Sequence, residues 1–435
     1  MAKSGHEIQP DEEHSRRWSQ LLWLSLCNLL AMTLWFSVSA VAPAIQVAWN
    51  LSALDQAWLT ISVQLGFAAG ALVSAAWNLA DRWPAPRLLA ICALLGALAS
   101  IAIPLGISNE FACTPEGFTT VLLLRAWTGA MLAGVYPVGM KLMASWFRSG
   151  RGLAIGIMVG ALTVGSALPH LLRALPLDTW MSAAARTSAG SPLETWRLVL
   201  LTAASCSFVA ALLGILFLQT GPWLPRAASF DWAYFLRVWQ DQPLRRANLG
   251  YLGHMFELYA MWTWAPQLLR DSYARGGHAP EAAYLASFLT VAMGGIGCVA
   301  AGQLADRRGR CWTTILSLLV SGACALVAGS LLAHPALLTM VCLVWGLSVI
   351  ADSAQFSAAV SELCDPKFVG TALAIQTCTG FLLTTLTIAI LPLLQQHLGW
   401  SLATAMLALG PAVGIWQMAR LREMPEASKL ASGRR

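Results

Sequence analysis

Charge is what this sequence has least of. Only 11% of its 435 residues are Asp, Glu, Lys or Arg, against roughly 25% in an ordinary soluble domain. With hydrophobic residues at 57% and mean hydropathy at +0.63, a water-facing globule is not expected. Other absences remove further classes. The ten cysteines contain no C-x-x-C pair, and all but Cys113 sit in or beside apolar runs. Neither a disulfide framework nor a metal site is expected from that pattern. No G-x-x-x-x-G-K-[ST] loop supports ATP-driven pumping. No Ser/His/Asp or paired-carboxylate constellation is arranged for hydrolysis, so the chain is not expected to be an enzyme or to need a cofactor. A cleavable signal pattern is missing too. Met1 to Arg17 is polar, and Arg16-Arg17 directly precede the first apolar run, which therefore reads as a retained anchor.

What is present is a series of apolar runs, each about long enough to cross a hydrocarbon layer of roughly 30 Å as a helix. Twelve are expected, at about 18–42, 55–79, 86–107, 118–144, 152–175 and 195–219, then 245–269, 281–304, 311–333, 336–360, 368–393 and 399–420. Helices satisfy their own backbone groups, which lipid cannot do. The runs divide the chain into a tail (1–17), a six-helix bundle (18–219), a linker (220–244), a second bundle (245–421) and a tail (422–435). Of the 27 Lys and Arg residues, 21 fall on the side of the termini, among them Arg148, Arg151, Arg245, Arg246 and Arg310. Arg173, Arg186, Arg197, Arg270 and Arg275 fall on the other side. That bias places both termini in the cytoplasm and accounts for the net charge of +6 without a nucleic-acid partner. The expected setting is the cell inner (plasma) membrane, with lipid around the bundle. In the linker, 231–240 reads as a short amphipathic helix carrying Trp232, Phe235 and Trp239, or as a plain tether. The outer loop at 176–194 reads as flexible.

A short polar string occurs twice, each time at the end of an apolar run. It reads Leu79-Ala80-Asp81-Arg82 and, 225 residues later, Leu304-Ala305-Asp306-Arg307-Arg308-Gly309-Arg310. A charged turn recurring near half the chain length points to a duplicated membrane bundle, a common transporter plan. Gly302 to Arg310 fits G-x-L-x-D-R-x-G-R at every fixed position. The first copy is degraded, with Trp77 in place of the leading Gly. Gly152-Leu153-Ala154 and Gly370-Thr371-Ala372 form a weaker echo. On these motifs and the six-plus-six grouping the chain resembles the major facilitator superfamily. The resemblance implies an all-α membrane fold of twelve transmembrane helices in two pseudo-symmetric six-helix bundles, usually monomeric. It also implies gating roles for Asp81, Arg82, Asp306, Arg307 and Arg310, whose contacts brace one state and break as the halves rock. Independently of any family, a carboxylate at a helix end can face the N-terminal dipole of a neighbour or pair with an Arg.

Charged groups deep in spans are costly and mark function or a specific partner. Arg125 in the fourth helix is the first, expected to hold an anionic substrate or influence an acid, or else to bond backbone carbonyls of a neighbouring helix. In the seventh, Tyr251, His254 and Glu257 stand three residues apart. That spacing puts His254 and Glu257 on one face, close enough to share a proton, or to form a packing pair. Asp352 in the tenth, with Gln355 one turn on, is the other mid-span acid and a partner for His254 or Arg125. Asn28, Ser37, Gln64, Gln376 and Thr379 are polar candidates, and Trp35, Phe36, Trp262 and Trp264 aromatic candidates, for a cavity. Any of the polar ones also serves as an interhelical bond. His170 reads as a pathway residue or an interfacial cap. Gly152, Gly156 and Gly160 make a small-residue face for close packing.

The expected function is secondary transport of a small organic anion with protons by alternating access. Glu257 is the first proton site, with Asp352 and His254. Arg125, Asn28, Gln64, Tyr251, Trp262, Gln376 and Trp35 form the substrate set. Proton-driven export of an amphipathic compound is the alternative, and a ligand sensor without flux stands third. The fifth helix lacks the G-P-x-x-G-G run of drug/proton antiporters, and the second and eighth lack the Arg of nitrate porters. The first absence weakens the export reading, and the second argues against nitrate itself as the substrate.

Overall fold

In the computed structural model, residues 10–147, 151–175, 194–223, 230–231 and 234–434 are described, with the backbone alone at 10–15, 151 and 235. Arg148, Arg186, Pro225, Trp232 and nearly all of the 176–194 loop lie outside them, as do the side chains of Arg151 and Phe235. Every regular element among the described residues is helical. The first six long helices are α1 (Arg16–Trp49), α2 (Ala53–Ala76), α3 (Ala85–Gly106), α4 (Pro115–Trp146), α5 (Arg151–Ala174) and α6 (Thr195–Phe217). The second set begins with α7 (Gln242–Arg275), α8 (Pro280–Arg308), α9 (Arg310–Leu331) and α10 (Pro335–Leu363).

Ten stretches are long and apolar enough to cross a membrane by length and composition. One of them, Val369–Arg422, has 54 residues and would reach about 80 Å as a single rod, far beyond a bilayer core. It is interrupted at Gly399, whose φ of 76° is the left-handed region that glycine enters without a Cβ clash. The break separates α11 (369–398) from α12 (400–422). The 34-residue α7 is also long enough to span, and only its charged and polar side chains keep it out of the apolar tally. Counted so, the long helices among the described residues number twelve.

Local signals start several of them. Ser52 and Asp55 exchange reciprocal bonds with the backbone at the head of α2, satisfying donors that a helix start leaves free. Pro115, Pro280 and Pro335 occupy first-turn positions, where the missing N–H costs nothing. Between α8 and α9 the chain reverses at Gly309, φ 97°, so the glycine of the G-R pair is demanded by the turn.

The two halves meet along α5 against α8 and α2 against α11. The glycine face of α5 lies on α8. A Cβ at Gly156 would stand 2.8 Å from the Cys298 carbonyl oxygen, and one at Gly160 3.1 Å from that of Gly295. Within each half a second close pair recurs in equivalent places. Gly66 and Gly70 of α2 face Ala126 and Ala130 of α4, and Gly297 of α8 and Gly346 of α10 face Leu347 and Thr290. Leu98, Leu123, Ile215, Ile296 and Leu319 are exposed on the outside, where lipid is the natural solvent. The linker is helical over Tyr234–Gln240. Its Tyr234 and Val238 are buried, Tyr234 stacking on Phe368 with centroids 4.3 Å apart, so this side packs on the protein.

Candidate functional site

Three helices are broken near mid-depth. In α1 the helix stops at Met32 and resumes at Ser37. The corresponding gaps are Leu132 to Tyr136 in α4 and Val349 to Ser353 in α10. A break frees backbone groups that lipid cannot satisfy, and Arg125 answers this need in α1. Its Nη2 donates to the Trp35 carbonyl at 2.7 Å, its Nη1 to that of Leu34 at 3.0 Å, and its Nε to that of Leu59 at 3.4 Å. The side chain is fully buried. Of the two arrangements expected for Arg125, the structure places it among backbone carbonyls, and no ion pair joins it to Asp352 among the described residues.

Asp352 instead meets His254. The His254 Nδ1 stands 2.8 Å from Asp352 Oδ1, within ion-pair range but off hydrogen-bond alignment. Both carboxylate oxygens and both ring nitrogens are left without a hydrogen bond. Tyr251 and Phe356 flank the imidazole, with centroids 5.9 and 5.7 Å away. Glu257 looks elsewhere, accepting from Ser321 Oγ at 2.8 Å and Trp345 Nε1 at 2.7 Å. The expected sharing of a proton between His254 and Glu257 gives way to two separate sets of partners. Three residues advance a helix by about 300°, so the two side chains diverge by about 60°, enough to address different neighbours. Ser321 and Trp345 carried no sequence signal beyond being polar groups in apolar runs.

Between the halves lies a set of packed rings. Trp35 sits 4.7 Å from Phe67, 5.6 Å from Phe381 and 5.7 Å from Tyr259, centroid to centroid. Phe67 and Phe381 are 4.6 Å apart, and Tyr259 and Trp262 5.6 Å. Phe36 meets Trp262 edge-on at 5.7 Å. The sequence reading found Trp35, Phe36 and Trp262 but missed Phe67, Tyr259 and Phe381, which are recognisable only once α2, α7 and α11 are brought together. Trp35 Nε1, Trp262 Nε1 and both amide atoms of Gln64 and Gln376 are buried without partners. Native interiors rarely leave such groups unmet. Asn28 donates to the Met158 carbonyl at 3.0 Å, leaving its Oδ1 free. Ser37 and Thr379 spend their hydroxyls on nearby carbonyls, and Trp264 donates to that of Ile388.

The repeated turns sit at the helix ends on the side of the termini. Asp81 pairs with Lys141, which also donates to the Ala80 carbonyl at 2.8 Å. Arg82 and Arg307 are exposed. The Asp306 carboxylate lies directly against Gly152 in the first turn of α5, joining the two halves where a helix N-terminus favours negative charge. Arg310 forks onto Glu362, Nε to Oε2 at 2.8 Å and Nη2 to Oε1 at 2.6 Å, and its Nη1 donates to Gln355 Oε1 at 2.7 Å.

The family model for the Major Facilitator Superfamily matches residues 24–387. The chain belongs to that superfamily. It is a multi-pass membrane transporter of small solutes and not an enzyme. A gallate transporter of Pseudomonas putida is 27% identical over 353 residues, covering 74% of this chain and 73% of the relative. Among solved structures, the proton:xylose symporter XylE, bound to 6-bromo-6-deoxy-D-glucose, aligns with a TM-score of 0.69 at 14% identity, over 94% of this chain and 95% of that one. A bacterial homologue of the human lysosomal transporter Spinster, inward-facing and unoccupied, aligns at 0.66 and 15% identity, over 98% and 99%. Superfamily members are built on two bundles, as this chain is.

Proposed function

We propose that this transporter moves a small aromatic carboxylate together with protons, by alternating access across the plasma membrane, with both termini in the cytoplasm. The observation that carries the reading is the buried His254–Asp352 contact, whose atoms are poised without hydrogen-bond partners. A carboxylate–imidazole pair set in a low-dielectric bundle can take up one proton and give it back with little rearrangement. Tyr251 links this pair to the aromatic set between the halves, since it contacts both His254 and Gly380 of α11. Flat rings with unmet Trp N–H groups and two free amides nearby suit a planar aromatic body with polar substituents. The likeness to a gallate transporter supports that choice.

In this reading Asp352 and His254 carry the proton. Glu257, held by Ser321 and Trp345, is the neighbouring acid in the same half. Gln64, Gln376, Trp35, Trp262, Tyr251 and Asn28 meet the substrate as the rings part. Arg125 acts by holding the α1 break that aims Trp35 and Phe36, and its positive charge favours an anion nearby. Asp81 with Lys141, Asp306 at α5, and Arg310 on Glu362 brace the cytoplasmic ends, with Arg82 and Arg307 flanking them. The test uses proteoliposomes and a panel of hydroxybenzoates, comparing uphill uptake driven by a proton gradient with counterflow. Asp352→Asn is expected to abolish uphill uptake while counterflow continues. Undiminished uphill uptake in that variant removes the proton role, and hits confined to cations or neutral amphiphiles overturn the anion reading in favour of export.

A further inference from the structure

On the face opposite the termini, a second polar group collects where α5 of one half meets α8 of the other, which in turn packs on α7. His170 and Arg173 stand one turn apart near the end of α5. Arg173 Nη2 donates to the Tyr284 hydroxyl at 3.2 Å, and its guanidinium lies over that ring, 4.9 Å from the centroid. Arg270 of α7 is close enough to act electrostatically on both His170 and Arg173, with Tyr284 and Asp271 in the same field. Asp271 is already engaged by Trp400 Nε1 at 2.8 Å. Two guanidinium groups against one carboxylate leave the cluster net positive.

Donors are left over. His170 is 1% exposed and its Nδ1 has no partner, and the Arg173 Nε is likewise unmet. Paired cations drawn together at a partly desolvated seam repel each other, and bringing them there costs free energy unless an anion joins them. We propose that this cluster is an outer binding site for the carboxylate group of an anion, occupied before the substrate passes to the central rings. It rests on the reading of the substrate as an anion.

The arrangement explains itself in those terms. Arginine presents a fork of N–H donors that matches a carboxylate's two oxygens, and a ligand here touches both halves at once. The field of the pair also raises the local anion concentration and the association rate, an effect that salt suppresses.

The test pairs transport with direct binding. Benzoate uptake from the outer face is measured for the intact protein, Arg173→Gln and Arg270→Gln, at low and high ionic strength. Arg275→Gln, an exposed position at the end of α7, serves as control. Each cluster variant is expected to raise the external KM roughly three- to tenfold at low salt, with kcat changed less than about twofold and the salt dependence flattened. Arg173→Lys keeps the charge and should recover part of the loss. Binding of benzene-1,3,5-tricarboxylate, read by calorimetry on the purified protein, needs no transport and no folding inference beyond an unchanged melting profile. Wild-type KM, salt slope and tricarboxylate binding in both Gln variants overturn the outer site while leaving the proposed function intact. Arg-dependent tricarboxylate binding in a protein that moves no benzoate keeps the site and removes the carboxylate reading of the central rings.

Discussion

Arg125→Met is the most informative single substitution, because the contacts of Arg125 assign it a structural load that a ligand contact would not carry. Two charge-assisted bonds, to the Trp35 and Leu34 carbonyls, contribute about 1.5–3 kcal/mol each. The Leu34 carbonyl keeps a second donor in Ser37 Oγ at 2.9 Å, and that of Leu59 keeps Ser62 Oγ at 3.3 Å. The Trp35 carbonyl has no such reserve and, left unmet, costs a further 1–3 kcal/mol or so. Against this, removing a buried charge returns roughly 2.5–3.5 kcal/mol. The balance is a loss of about 3 kcal/mol, or roughly 3 °C in unfolding temperature for a chain of 435 residues. Arg125→Lys keeps the buried charge but cannot bridge both carbonyls, so it should be no more stable than Arg125→Met. The assay is thermal unfolding of the purified protein without ligand. An Arg125→Met protein as stable as wild type, or an Arg125→Lys protein restored to wild type, would refute the argument and return Arg125 to direct anion binding.

Other consequences follow from the same geometry. Ser321→Ala and Trp345→Phe each remove one of two donors to the buried Glu257 carboxylate, and each should lower stability by about 1.5–3 kcal/mol. Glu257→Gln in the same background should soften the loss, and additive losses in a thermal-melt cycle would contradict the contact. Gly302→Val places a Cβ 2.7 Å from the Gly152 carbonyl oxygen, wedging α8 from α5. Counterflow should fall more than about tenfold in a protein that still elutes as a folded species, and a wild-type rate would show that the close approach is dispensable. Arg310→Lys loses its fork on Glu362 and should destabilise the protein well beyond Lys141→Met. The two pairs are about equally exposed, 18% and 29% against 13% and 27%, so the ranking rests on the two-bond fork of Arg310, whereas a single-point pair at such a site contributes about 1 kcal/mol or less. Equal shifts in melting temperature would speak against that ranking.

Spans and halves were legible in the sequence because both are local properties. An apolar run of about 20 residues and a charged turn at its end carry their meaning wherever they stand. Hydropathy alone is a poorer guide at α7, where Arg245, Arg246, His254 and Glu257 dilute the signal, and only length with helical spacing reveals a crossing. The breaks in α1 and α10 were not legible. Neither Thr33-Leu34-Trp35-Phe36 nor Ile350-Ala351-Asp352 contains a proline or glycine, and what tolerates the α1 break is Arg125, about 90 positions away in the chain. The same remoteness hid the partners of the site. Periodicity could name His254, Glu257 and Asp352 as anomalous, since ionisable groups in apolar runs are rare for an energetic reason. It could not tell that a 60° divergence sends His254 to Asp352 and Glu257 to Ser321 and Trp345. In a helical membrane protein, then, sequence reports which side chains cost too much to be accidental, while packing decides what offsets that cost. The broken helices show where that offset is made by a distant side chain, and they are the places where a substitution should alter folding and transport together.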